Sequence, residues 1–274
     1  MQQLLTLSVS DSKFYENNYS DAFYHVFLFD GRGKAFVDLA EYPFAGKTVL
    51  FTSPYQNIQI IGEDDFKIQN LAFHGDFYCI EYHKKEVACN GLLFNNIYLH
   101  PIFSLDDDSF AELCDILQKL SAVNDSDSFS DAVQRSYLQL MLAISSREKM
   151  KILEDSNQPV QDFDQLKTFQ QLVEENYISE RSVAFYAEQL HISANTLSKK
   201  IKSEFRKSPS QIIQERVILE SKKRIHLTRK SIKEIAAELH FEDEYYFSRY
   251  FKKHTGVSPV KFREQVGISV VADL

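Results

Sequence analysis

Asn195, Ser198 and Lys199 form the polar face that remains once Leu197 and Ile201 turn inward on a helix. About 50 residues later, Glu244, Tyr245, Tyr246 and Arg249 stand in the same relation to Phe247 and Phe251. An asparagine carboxamide can pair with adenine and a lysine with guanine, while tyrosine rings can meet thymine methyls or the sugar backbone. Both faces therefore suit direct readout of base edges, and Arg249 is the strongest single candidate. Lys200, Lys202, Lys252, Lys253 and Lys261 add positive charge nearby and are candidates for phosphate contacts, which supply affinity and salt dependence rather than sequence preference. Ser182 and Ser231 precede helices whose N–H groups can meet phosphate, although both serve first as caps. Glu242, Asp243 and Glu244 suit the dipole at the start of the second helix but repel phosphate.

The elements behind these faces repeat. VAFYAEQLHISANTLSKKIKSEFRKSPS and IKEIAAELHFEDEYYFSRYFKKHTGVSP align at about 50 residues, with Val183, Ala187, Leu190, Ile192, Leu197 and Ile201 matching Ile232, Ala236, Leu239, Phe241, Phe247 and Phe251. Each unit reads as a short scaffold helix, a tight turn and a second helix free to enter a major groove, with Ala187 and Ala236 at the close crossing. Ser182 caps the first helix and Ser193 the second. A longer helix follows Pro209 through Ile212, Ile213 and Val217. Ser231 caps the next helix, another runs from about Asp243 to His254, and Gly256 and Pro259 end it.

From Ser231 to Arg263, SIKEIAAELHFEDEYYFSRYFKKHTGVSPVKFR closely resembles the signature of AraC-type (AraC/XylS) transcriptional regulators, and YAEQLHISANTLSKKIKSEFRKSPS resembles its weaker partner unit. The resemblance implies that one recognition helix from each unit enters successive major-groove segments, held apart by the linking helix. It further implies a cupin-like N-terminal domain for ligand sensing and dimerisation, and an internal pair rather than a DNA contact for Arg216, which corresponds to a family arginine that looks structural. The turn positions commonly glycine in this family hold His191 and His240, and Arg206 replaces the glycine after the first recognition helix. Positive φ at these residues would carry a modest strain cost.

Residues 20 to 105 are dense in Phe, Tyr, Val and Ile, cut by DGRG, PFAG, SPYQN, GEDD, HGD and CNG, which indicates a small β-sandwich or barrel. Ala35, Val37 and Leu39 alternate as a half-buried strand would. Phe110, Leu113, Cys114, Leu117 and Leu120 then recur at helical spacing, as do Val133, Tyr137, Leu140, Met141 and Ile144. The reading is an α+β chain of two domains. Residues 1–150 form a cupin-like domain with a barrel at about 15–105 and a helical dimerisation segment at about 108–147. A linker at 151–162 precedes the all-α double helix-turn-helix domain at 163–266 and a tail at 267–274. Within the barrel, Tyr24, Phe36, Tyr55, Phe77 and Tyr82 are pocket candidates on composition alone.

The 274 residues, 44% hydrophobic and 26% charged, are enough for two domains with their own cores. The net charge of −8 hides an asymmetry: from Phe163 to Gln265 there are 19 Lys plus Arg against 14 Asp plus Glu, so the C-terminal part is basic and the remainder strongly acidic. No apolar run approaches the roughly 20 residues of a membrane span, and the first ten residues lack a signal-peptide pattern. Cys79, Cys89 and Cys114 are odd in number and far apart, which fits a reducing cytoplasm. His25, His74, His83 and His100 lack the spacing of a metal cupin, so no metal, cofactor or catalytic residue is expected. The function read from these features is sequence-specific transcription control, activating by family resemblance. Its expected partners are double-stranded DNA, a second copy, a small-molecule effector and RNA polymerase. The alternatives are a cupin-type enzyme fused to a helical domain and a protein-interaction module.

Overall fold

The period-two pattern of the first hundred residues becomes strands and the later period of 3.6 becomes helices. The structure, a computed structural model, describes residues 3–80, 91–123, 129–155 and 163–269. Strands β1 (Leu5–Asp11), β2 (Tyr24–Val37), β3 (Ala40–Thr52), β4 (Ile58–Gly62), β5 (Lys67–Phe73) and β6 (Ile102–Ser104) precede helices α1 (Asp107–Ser121) and α2 (Ser130–Asp155). The chain divides into two compact units, one comprising 1–96 and 101–157, the other 97–100 and 158–274.

In the first unit the strands form one antiparallel sheet in the order β1-β5-β2-β3-β6. The long β2 pairs with β5 through its first half and with β4 through its second. Both faces of its first half, Tyr24–Phe29, are buried, which is why that half is nearly all apolar, whereas Asp30, Arg32 and Lys34 farther along are exposed. Val26 and Leu28 pack with Leu71, Phe73 and the α1 and α2 residues Leu113, Leu117, Leu138 and Met141. The alternate residues Phe27 and Phe29 pack with Tyr15, Ile58, Ile60 and Ile68. An antiparallel β domain with helices, followed by an all-helical domain, matches the expected architecture.

Several local expectations are corrected. DGRG and PFAG lie inside β2 and β3, not at turns. A Cβ at Gly33 would fall 2.1 Å from the Ile61 carbonyl oxygen, so this glycine marks a close approach of β4. The turn is Asp38–Leu39 instead, with Asp38 at φ 54 and its carboxylate accepting from Asn57 N and Gln56 Nε2, both at 3.0 Å. Leu39, expected on the strand, is 70% exposed there. Helix α2 buries Leu138, Met141, Leu142 and Ile144, while Val133 and Leu140 of the expected stripe are exposed. It also runs through 151–155, which the sequence reading gave to the linker; residues 156–162 lie outside the described ones.

The second unit contains α3 (Phe163–Asn176), α4 (Val183–Gln189), α5 (Ala194–Phe205), α6 (Pro209–Leu227), α7 (Ile232–Glu238), α8 (Glu244–Thr255) and α9 (Pro259–Val266). Phe169, Tyr186, Ile201, Ile212, Ile235, Phe247 and Phe251 are fully buried. Pro259 does not simply stop a helix. It opens α9 after the cap Ser258, as Pro209 opens α6 after Ser208. Ile97–His100 belong to this unit as well: Tyr98 donates to Glu174 Oε1 on α3 at 2.9 Å, its ring lies 6.0 Å from Phe205, and Lys207 donates to the Ile97 carbonyl.

Candidate nucleic-acid interface

The two repeats coincide hydrogen bond for hydrogen bond at their turns. Leu190 N donates to Tyr186 O, His191 N to Glu188 O and Ile192 N to Ala187 O; Leu239, His240 and Phe241 donate in the same way to Ile235, Ala237 and Ala236. His191 and His240 take φ values of 53 and 54°, as the missing glycines implied. Arg206 ends α5 at φ 56°, where Gly256 ends α8 at φ 78°. Ala187 and Ala236 are buried, as the close crossing of two short helices requires.

These turns fix which faces of α5 and α8 reach solvent. Ser193 accepts from Thr196 N and Asp243 from Tyr246 N, so each helix starts from a side-chain cap. Leu197, Ile201 and Phe205 are buried on α5, and Phe247, Phe251 and Thr255 on α8. Asn195 and Lys199 are exposed and Ser198 is half-buried; Tyr245 and Arg249 are exposed, and Glu244 is half-buried. Tyr246 is exposed but leans toward Phe241, with ring centroids 5.8 Å apart. Among the described residues neither Lys199 nor Arg249 has an ion pair, and Glu242 does not take up Arg249. Each repeat thus presents an uncompensated positive charge from the middle of its second helix.

The phosphate candidates separate. Lys202, Lys252, Lys253 and Lys261 are exposed, whereas Lys200 donates to Gln165 Oε1 on α3 at 2.7 Å and is occupied internally. Ser182 accepts from Ala184 N as a plain cap. Ser231 sits in a capping box closed by the Glu234 carboxylate, which places negative charge where a phosphate would come.

The linking helix is held by ion pairs. Arg216 lies over the Tyr177 ring at 4.0 Å and donates to Glu174 and Glu220, an internal role as expected. Arg224 joins Glu220 on its own helix to Glu238 on α7. Burial pushes the Glu220 carboxyl up, but Arg224 and Arg216 outweigh it and hold the group below the ordinary glutamate range. Sequence reasoning missed Arg181. Its guanidinium stacks over Phe241 at 4.0 Å and donates to Leu239 O at 2.6 Å, tying the entry to the first repeat to the turn of the second. Arg181 precedes the repeated segment, so the alignment of the repeats carries no signal for it.

In the first unit, Tyr24 and Phe77 are core residues: Tyr24 stacks on Phe73 and Phe77 lies under Arg135. Tyr55 is buried, Phe36 is half-buried, and Tyr82 lies outside the described residues. Among the described residues, no cluster of three His, Cys, Asp or Glu could hold a metal ion, and no helix is long and apolar enough to cross a membrane.

Two short helices about a tight turn, doubled around a linking helix, define a paired helix-turn-helix domain. The helix-turn-helix domain family matches residues 186–265, the stretch that carries both repeats from Tyr186 onward. The raffinose operon transcriptional regulatory protein RafR of Pediococcus pentosaceus is 26% identical over 96 residues, which span 35% of this chain and 35% of that relative. The crystal structure of ToxT from Vibrio cholerae aligns over 97% of this chain and 100% of that one at 17% identity and a TM-score of 0.43. An AraC-type DNA-binding domain-containing transcriptional regulator from Chromobacterium violaceum aligns over 39% of this chain and 95% of its own, at 23% identity and a TM-score of 0.35.

Proposed function

We propose that this protein is a sequence-specific DNA-binding transcription regulator that reads two successive major-groove segments through α5 and α8, while its N-terminal domain senses a small molecule and dimerises. The observation that carries the reading is the duplicated placement of Lys199 and Arg249. Two exposed cations, without an ion pair among the described residues, occupy corresponding faces of two units whose turns match bond for bond. Asn195, Ser198, Tyr245 and Tyr246 supply hydrogen-bonding and apolar contacts beside them, and Lys202, Lys252, Lys253 and Lys261 supply phosphate contacts. The exposed Val133 and Leu140 on α2 support a contact with a second copy, which would double the half-sites read. Activation through a polymerase contact rests on the family resemblance.

The test is fluorescence anisotropy of the full-length protein on mixed-sequence duplex DNA over a salt series. Affinity should fall steeply with salt, and Lys252→Ala should weaken binding to all sequences while lowering the slope of log Kd against log salt by about one. Weak, salt-insensitive binding would favour the protein-interaction reading.

A further inference from the structure

In the first unit, a cavity of about 440 Å³ opens beside β1 and β5, walled by the rings of Phe14, Tyr15, Tyr19 and Phe23 with Asp21 and Asn70 between them. Its polar floor is a single network. Asp21 Oδ1 accepts from Phe23 N and from His25 Nε2, both at 2.8 Å, and Oδ2 accepts from the Tyr19 hydroxyl at 2.6 Å. The other imidazole nitrogen of His25 lies 3.1 Å from Asn70 Oδ1, and Asn70 Nδ2 donates to the Tyr15 hydroxyl at 3.3 Å. His25 is 2% exposed and stacked on Phe27. Polar groups sunk this far among aromatic residues are costly unless every member is bonded, and here three of the bonds converge on the Asp21 carboxylate while Asn70 links His25 to Tyr15.

That carboxylate is not sealed, since the Asp21 side chain keeps 31% of its surface exposed. Burial pushes Asp21 up, but His25, Tyr19 and the Phe23 amide outweigh it, so it is held ionised below the ordinary range. Burial and the same carboxylate push the Tyr19 hydroxyl up, which keeps it a neutral donor. Among the described residues, no lysine or arginine lines the cavity. Aromatic faces carry negative electrostatic potential, so these walls and a carboxylate together attract a cation and disfavour an anion.

We propose that this cavity is a binding site for a small cationic amine, with the ammonium at the Asp21 carboxylate and the hydrocarbon between the Phe14 and Phe23 rings. The cavity lies outside the barrel positions expected from composition, and none of Tyr24, Phe36, Tyr55 or Phe77 lines it. The inference assigns a ligand class to the sensing role proposed above. Its test involves no DNA, so its failure leaves the DNA-binding reading standing.

Isothermal titration calorimetry of the full-length protein would compare tyramine, putrescine and choline with the neutral 4-ethylphenol and the anionic 3-(4-hydroxyphenyl)propionate. At least one amine should bind saturably, at least about tenfold tighter than both uncharged and anionic analogues, and Asp21→Asn should weaken it by about tenfold or more, as expected for a charged hydrogen bond. Because Asp21→Asn also changes the partner of His25, Phe14→Ala at an exposed ring serves as the second variant. It should weaken the same amine while leaving the melting temperature unchanged. Absence of saturable binding by all three amines at millimolar concentration, equal binding of the anionic analogue, or binding unchanged by both substitutions overturns the proposal.

Discussion

Replacing Arg181 with alanine removes a side chain that ties the entry of the first repeat to the turn of the second. Two interactions are lost. The guanidinium stacked 4.0 Å over Phe241 contributes about 1 kcal/mol in a partly desolvated setting. The charged hydrogen bond to Leu239 O, at 2.6 Å, contributes about 1.5 kcal/mol or slightly more. Together they give roughly 2–3 kcal/mol, which at about 1.4 kcal/mol per decade is a change of about 30- to 150-fold in the local opening equilibrium. Hydrogen exchange of the full-length protein, followed by mass spectrometry on peptides spanning α7 and α8, measures it directly. Faster exchange of that size should appear in these peptides, and Arg181→Lys should fall between wild type and alanine because it keeps the charge and loses the planar fork. Unchanged exchange across α7 and α8 in Arg181→Ala would refute the view that this contact fixes the second repeat.

Arg206→Gly should raise the melting temperature of the second unit by a few degrees, since relief of a left-handed non-glycine residue is worth about 1 kcal/mol; a drop in melting temperature would show that the Arg206 side chain contributes more than its backbone costs. Tyr98→Phe removes only the hydroxyl bonded to Glu174 and should cost about 1 kcal/mol, read as faster exchange in α3. Glu220 gives a pH dependence with a definite sign. Its folded pKa is depressed, so its contribution is complete above the ordinary glutamate value of 4.5 and is lost as pH falls through the folded value. Thermal melts from neutral pH to about pH 3 should therefore show a shallower acid decline in Glu220→Gln than in wild type.

The second unit was the more legible half because its information is local. Serine caps, small residues at the crossings and apolar positions at three and four specify each helix, and the repeat supplies a second reading of every position. His191, His240 and Arg206 show how far this extends, since positive φ followed from what glycine does at the matching places. Even α9 had a signal, because SPV at 258–260 repeats SPS at 208–210, where Pro209 opens a helix. The clamp by Arg181 and the insertion of Tyr98 had none, for each joins residues about 60 to 110 positions apart. In the first unit, glycines in DGRG carry the same letter whether they turn the chain or let Ile61 and Phe66 come close. Aromatic residues were equally ambiguous. Tyr24 and Phe77 belong to the core while Phe14 and Phe23 line the cavity, and only the fold of β1 beside β5 separates the two sets.

The most direct test of the central claim is selection of bound sequences from a random duplex DNA pool by the full-length protein at defined salt, with Arg249→Ala in parallel. The account predicts an enriched motif of two segments about one helical turn apart, with one segment losing information in the variant and affinity for the selected site falling by about tenfold or more. Recovery of no motif by the wild type, with or without the amine ligands tested above, or an identical motif and affinity for Arg249→Ala, would contradict it.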